Sequence, residues 1–136
     1  MIVGYCRVGI LEPASSLATQ KAALAAAGAQ VFFNERVGVN GGAPELERAI
    51  ASVQSGDTLV VTRPYRVARS TRGVLALIDR LGRRGAGFRI LGTPVDTTTT
   101  TGRMILGSTP LWSLDMSPAR AALRDLVLGW RDAPKH

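Results

Sequence analysis

Arginines spaced three apart carry the first chemical signal in this chain. Arg63, Arg66, Arg69 and Arg72 recur at every third position, and Arg80, Arg83, Arg84 and Arg89 follow. The only acid between Arg63 and Arg89 is Asp79. A guanidinium is planar, permanently charged and able to meet two phosphate oxygens at once, where lysine offers only a point charge. Of 17 basic residues, only Lys21 and Lys135 are lysines. With a formal net charge of +7, the chemistry to expect is phosphate binding, and nucleic acid is the matching ligand. A GC-rich genome would enrich Arg, Ala and Gly by codon composition alone, so the spacing says more than the amount.

Other chemistries are poorly supplied. The single cysteine, Cys6, cannot found a disulfide framework. One Cys and one His, His136, do not make a zinc site, and no metal or cofactor is expected. No apolar run approaches the roughly 20 residues of a membrane span. No N-terminal stretch has the layout of a signal peptide. The expectation is a soluble cytoplasmic protein without membrane contact. Its 136 residues suit a single domain with its own core.

The elements that must position the arginines follow from local patterning. Met1–Val8 is rich enough in β-branched and aromatic residues for a strand that ends near Arg7. A loop from Gly9 to Pro13 leads to an alanine-rich helix, Leu17–Ala27, with Ser15 or Ser16 as cap and Gly28 as stop. Gln30–Phe33 reads as a short strand and Gly38–Gly42 as a loop. Pro44 opens the next helix, with Glu45 and Glu47 at its positive end. Leu46, Ile50 and Val53 share its apolar face, and Gly56 ends it. Thr58–Thr62 is a buried-type strand. After the basic segment, Ser70 or Thr71 caps a helix whose Val74, Leu77, Ile78 and Leu81 have amphipathic spacing. Gly87–Leu91 is a fourth strand.

Alternating strands and helices predict an α/β fold, a single domain with a mainly parallel sheet of about four strands flanked by helices. Ligands of such sheets bind beyond the carboxyl ends of the strands. Arg7 and the Arg63–Arg69 segment both fall at that edge.

Beyond residue 91 the pattern loosens. Asp96 and the threonines 97–101 lead toward a helix start near Gly102, but Gly107, Pro110 and Pro118 interrupt it. Leu123, Leu126, Val127 and Trp130 form a last apolar stripe. The expected division is a unit over 1–106 and an irregular, broken helical tail over 107–136, with no helix-turn-helix.

Several residues have plain structural readings. Tyr5 reads as strand core and Cys6 as a small buried hydrophobe, with a reactive thiol beside Arg7 as the alternative. Arg80, Arg83 and Arg84 read equally as a solvated helix end or as a DNA-backbone patch. Trp112 and Trp130 read as packing in a core or dimer interface, with base stacking as the alternative.

Three segments together resemble the serine recombinases, the resolvase/invertase family. Gly4-Tyr5-Cys6-Arg7-Val8 resembles the family's opening strand. Arg63-Pro64-Tyr65-Arg66-Val67-Ala68-Arg69-Ser70 resembles its basic segment after the third strand. Asp96-Thr97-Thr98-Thr99 with Gly102-Arg103-Met104 resembles the entry to its long dimer helix. Order and spacing agree from Met1 to about Leu106.

The resemblance implies a transesterification in which a serine hydroxyl attacks a DNA phosphate and forms a phosphoserine link. Arginines stabilise the developing charge, without metal or nucleotide. It also implies self-association. Arg7, Arg66 and Arg69 fall on family positions that bind phosphate, and Gln20, matching a glutamine on the first helix, is expected with them among the phosphate- or DNA-binding residues. The nucleophile slot, however, holds Gly9, and Tyr65 stands where the family has an aspartate. Ala43 is nearest to the place of a further arginine. Glycine has no side chain, so no nucleophilic catalysis comes from this position. Ser15, Ser16 and Ser70 read as helix caps rather than as a relocated nucleophile.

The resulting expectation is a serine-recombinase-type catalytic domain inactive for strand cleavage. It keeps an arginine cluster for weak, non-specific contact with the DNA backbone, and homodimerises or pairs with an active recombinase. The alternatives are an interaction protein that inhibits an active recombinase, and a degenerate remnant. An active recombinase or nicking enzyme is the rival that Gly9 opposes.

Overall fold

The computed structural model describes residues 1–37 and 42–99, and within them strand and helix alternate. Strand β1 (Ile2–Val8) leads to helix α1 (Ser15–Ala26), β2 (Val31–Arg36), α2 (Pro44–Ser52), β3 (Thr58–Val61), α3 (Thr71–Arg83) and β4 (Gly87–Ile90). A short 3-10 turn, Pro64–Arg66, stands between β3 and α3. The strands pair in parallel in the order β2-β1-β3-β4. Chain order therefore reverses direction between β1 and β3. In parallel sheets that is where a crevice opens at the carboxyl ends.

The period of two along β1 separates two cores. Val3 and Tyr5 join Leu46 and Ile50 of α2 and Val74, Leu77 and Leu81 of α3. Cys6 faces the other way, with Leu24 of α1, Ala29 and Val60. So α1 covers one face of the sheet while α2 and α3 cover the other. Gly4 lies where α1 comes closest, since a Cβ there would approach Leu24 and Phe32 to 3.1 Å. Gly28, at φ +100°, turns the chain out of α1 as expected of a helix stop. Beyond β4 the chain folds back along the outer edge, where the Ile90 amide donates to the Val95 carbonyl and the Thr97 amide to that of Phe88. That return covers an otherwise open sheet edge.

Four expectations from local pattern are corrected. Neither Ser15 nor Ser16 caps α1: the cap position is Ala14, with no side-chain hydrogen bond. The hydroxyl of Ser16 is engaged with Glu12, Gln20 and Arg66 instead. Strand β2 runs on to Arg36 rather than stopping at Phe33, because β1 pairs with it as far as Val8. Helix α2 ends at Ser52, and Gly56 lies beyond it in the turn before β3. Val53, at the helix end, is extended yet fully buried, so it joins the core from outside the helix. Ser70 does cap α3, accepting the Gly73 amide at 3.1 Å. The loop over 38–41, the run beyond Thr99, the 106 boundary, the tail, Trp112 and Trp130 lie outside the described residues.

Candidate functional site

At the carboxyl end of β1, Arg7 leaves the sheet on the same face as Tyr5, and its guanidinium lies 5.7 Å from that ring. Its Nε donates to the Tyr5 hydroxyl at 3.1 Å. The hydroxyl in turn donates to Glu35 Oε1 at 2.7 Å. Glu35 ends the line against α2, accepting the backbone amides of Glu45 and Leu46 at 3.1 Å each. Ala43, at the cap position of α2, has no side chain for this task. A buried carboxylate from β2 therefore does the capping, and the same carboxylate fixes the tyrosine that aims Arg7. Burial pushes the Tyr5 hydroxyl far above its ordinary range, against the lowering pull of Arg7, so it remains a donor.

The other arginines come from the turn after β3. Pro64 fixes the first position of that turn and Arg66 closes it. Arg66 is nearly buried, with its side chain 12% exposed. Its Nη1 donates to the Arg7 carbonyl at 2.8 Å and to Glu12 Oε1 at 2.6 Å. Tyr65 lies beneath it, with 4.8 Å from guanidinium to ring. Arg69 is exposed and has no hydrogen-bond or ion-pair partner among the described residues. Arg7, Gly9, Glu12, Val37, Tyr65, Arg66 and Arg69 line one concavity of about 230 Å³. All three arginines singled out in the sequence thus meet in one place, with Gly9 among them.

Gln20, expected among the phosphate-binding residues, holds the backbone of Arg7 in this structure. It is 5% exposed and clasps the backbone of Arg7, accepting from its N–H at 3.0 Å and donating to its carbonyl at 2.9 Å. Its other amide hydrogen goes to Ser16 Oγ at 3.3 Å. With both hydrogens engaged, Gln20 positions Arg7 in this structure.

Glu12 and Glu35 were missed in the sequence. Glu12 sits on the loop between β1 and α1, where it accepts the Gly9 amide at 2.9 Å and a hydrogen bond from the Ser16 hydroxyl at 3.2 Å. The bond from Arg66 holds its carboxyl below the ordinary value, outweighing partial burial. Glu35 lies in the polar stretch Asn34–Arg36 after the apolar run Val31–Phe33, where no local pattern signals burial.

Arg80, Arg83 and Arg84 have partners within the fold. Arg80 grips Glu47 through both Nη groups at 3.1 and 2.7 Å. Arg83 pairs with Asp79 one helical turn away. Arg84 closes the C-terminal end of α2, donating to the carbonyls of Ala51 and Val53. Cys6 is fully buried, and burial pushes its thiol up to about 11, which leaves it protonated. No cluster of metal-ligating side chains occurs among the described residues, and no helix there is long and apolar enough to cross a membrane.

Residues 2–111 match the family model of the resolvase N-terminal domain. The serine recombinase gin of Escherichia phage Mu is 36% identical over 104 residues, covering 76% of this chain and 53% of that protein. The DNA-invertase hin of Salmonella typhimurium is 37% identical over 102 residues, covering 74% of this chain and 53% of that one. The chain spans about half the length of these curated relatives. Among solved structures, the N-terminal catalytic domain of TP901-1 integrase superposes with a TM-score of 0.61 at 23% identity, covering 92% of this chain and 97% of that one. At that identity the likeness concerns the fold.

Proposed function

The chain belongs to the resolvase N-terminal domain family, and from that premise we propose that it holds a DNA backbone phosphate without cutting the strand. One observation carries the reading: Gly9 shares the concavity with Arg7, Arg66 and Arg69. The concavity gathers positive charge with no hydroxyl at the glycine. Phosphoryl transfer by this family's chemistry needs both electrostatic stabilisation and a nucleophile. The Ser16 hydroxyl, beside Glu12, is bonded to Glu12 and Gln20. Tyr65 supplies a ring beneath Arg66 where the family pattern has a carboxylate. The arrangement suits binding and has no side chain at the position where the family carries its nucleophile.

Two assays test this. Incubation with supercoiled plasmid and analysis on a denaturing gel should give neither nicked product nor a covalent adduct. Fluorescence anisotropy with two unrelated duplexes should give weak binding of similar strength. A trapped adduct, or a strong preference for one duplex at high salt, overturns the proposal.

Ile10 and Leu11 favour a second reading. They stand beside the concavity, with Leu11 98% exposed. Adjacent apolar side chains at a loop tip suit contact with another protein. In this reading the chain pairs with itself or with an active relative and blocks it. Co-purification with an active recombinase, lost in Leu11→Asp, would favour it over DNA contact.

A further inference from the structure

We propose that Glu12 is a built-in competitor for the phosphate subsite, so that a DNA phosphate binds only by displacing this carboxylate from Arg66 and the Gly9 amide. The proposal rests on the phosphate-binding reading above and names what regulates that site.

The Glu12 carboxylate occupies the place a phosphate would take. One oxygen, Oε1, receives both the Arg66 guanidinium at 2.6 Å and the Gly9 amide at 2.9 Å. The other, Oε2, receives the Ser16 hydroxyl at 3.2 Å. A guanidinium, a backbone amide and a hydroxyl converging on an anion are the donors that recognise a phosphate. This carboxylate lies directly against the nucleophile slot, since a Cβ at Gly9 would lie 3.6 Å from Oε1, at ordinary contact. The loop is also closed on itself, with the Glu12 amide donating to the Gly9 carbonyl at 3.2 Å. The carboxylate is therefore tethered beside Arg66 and reaches it without a search.

Two further observations make this occupant displaceable. The Glu12 side chain is 35% exposed, so it can swing into water. Arg66 Nε is buried with no hydrogen-bond partner, and Nη2 reaches Ser16 only at 3.5 Å. Glu12 thus engages one corner of the guanidinium and leaves the Nε edge unsatisfied. An unpaired buried donor is costly. A phosphate brings more acceptor oxygens to the Arg66 guanidinium and the Gly9 amide than the carboxylate does.

The test compares Glu12→Gln with Asp79→Asn. Both remove one negative charge, but Asp79 lies on the exposed side of α3, paired with Arg83. Glutamine keeps an oxygen that can accept the Gly9 amide, so the loop geometry is preserved. Binding to a fluorescent duplex should tighten by about 5-fold to 10-fold in Glu12→Gln beyond any gain in Asp79→Asn. The gain should vanish when Arg66→Ala is added, because the two residues act through one contact. No gain over Asp79→Asn, while Arg66→Ala and Arg69→Ala still weaken the parent chain, overturns the competitor and leaves the phosphate pocket standing. Binding indifferent to both arginines overturns the two together. The unsubstituted chain gives an independent readout. Its Gly9 amide resonance should shift as duplex is added, and a resonance that stays fixed at saturation counts against displacement.

Discussion

At the scale of single residues, the surroundings of Gly9 accept a side chain. A Cβ there meets only Glu12 Oε1, at ordinary contact distance, and the backbone is not in the left-handed region. Gly9→Ser should therefore leave stability within about 0.5 kcal/mol, as judged by thermal unfolding. Paired with Tyr65→Asp, it is the variant in which DNA cleavage is worth assaying. Cleavage by the double variant and not by the unsubstituted chain would place the proposed absence of cleavage at these two positions. Glu12 carries a pH dependence. Its folded pKa lies below the ordinary 4.5, so its stabilising contribution is full above that value and is lost as the pH falls through the folded pKa. The group is more than a third accessible, so solvent screening keeps the effect small. Glu12→Gln should remove this part of the acid dependence, read as a flatter denaturation midpoint against pH below 4.5. An unchanged profile would mean that the bridge to Arg66 contributes nothing in solution.

At the scale of elements, α2 depends on side chains that lie outside it. Glu35 of β2 caps its start, and Arg84, just after α3, closes its end. Glu35→Ala leaves the two helix amides and the buried Tyr5 hydroxyl without their acceptor. The expected loss is about 2 to 4 kcal/mol, from a lost cap plus a buried unsatisfied group. The same variant should weaken DNA binding, because Tyr5 then no longer fixes Arg7. Tyr5→Phe separates the two effects, since it breaks the link to Arg7 while α2 keeps its cap. Denaturant unfolding and anisotropy on both variants read them independently. Helix α3 carries its own cap, so Ser70→Ala should cost about 1 kcal/mol and leave binding unchanged.

For the whole molecule, the charge of +7 predicts how any DNA contact responds to salt. Arg80, Arg83 and Arg84 are engaged with acids or carbonyls, and the proposed phosphate site is the concavity lined by Arg7, Arg66 and Arg69. Three or four neutralised phosphates correspond to a log–log salt slope of about −3 to −4. Replacing Arg66 and Arg69 by alanine should flatten that slope by about 1 to 2 units without creating sequence preference. A slope unmoved by these substitutions would place the DNA contact elsewhere on the surface.

The sequence by itself determined the parallel α/β layout, the start of α2 at Pro44, a hydroxyl cap for α3 at Ser70 or Thr71 and the placement of Arg7 and the Arg63–Arg69 segment at one sheet edge. These features are written in short periods: alternation in strands, i to i+4 spacing in helices, and particular residues at helix ends. Strand β2 was read too short because Asn34–Arg36 is polar, and only pairing with β1 holds it extended. Tertiary structure alone decided which acid meets which base. Glu12 and Arg66 are 54 residues apart, Tyr5 and Glu35 are 30 apart, and Gln20 reaches back 13 residues to Arg7. No sequence period encodes such pairs. A charge selects its partner by distance through space, and that distance exists only once the sheet has brought the ends of β1, β2 and β3 together.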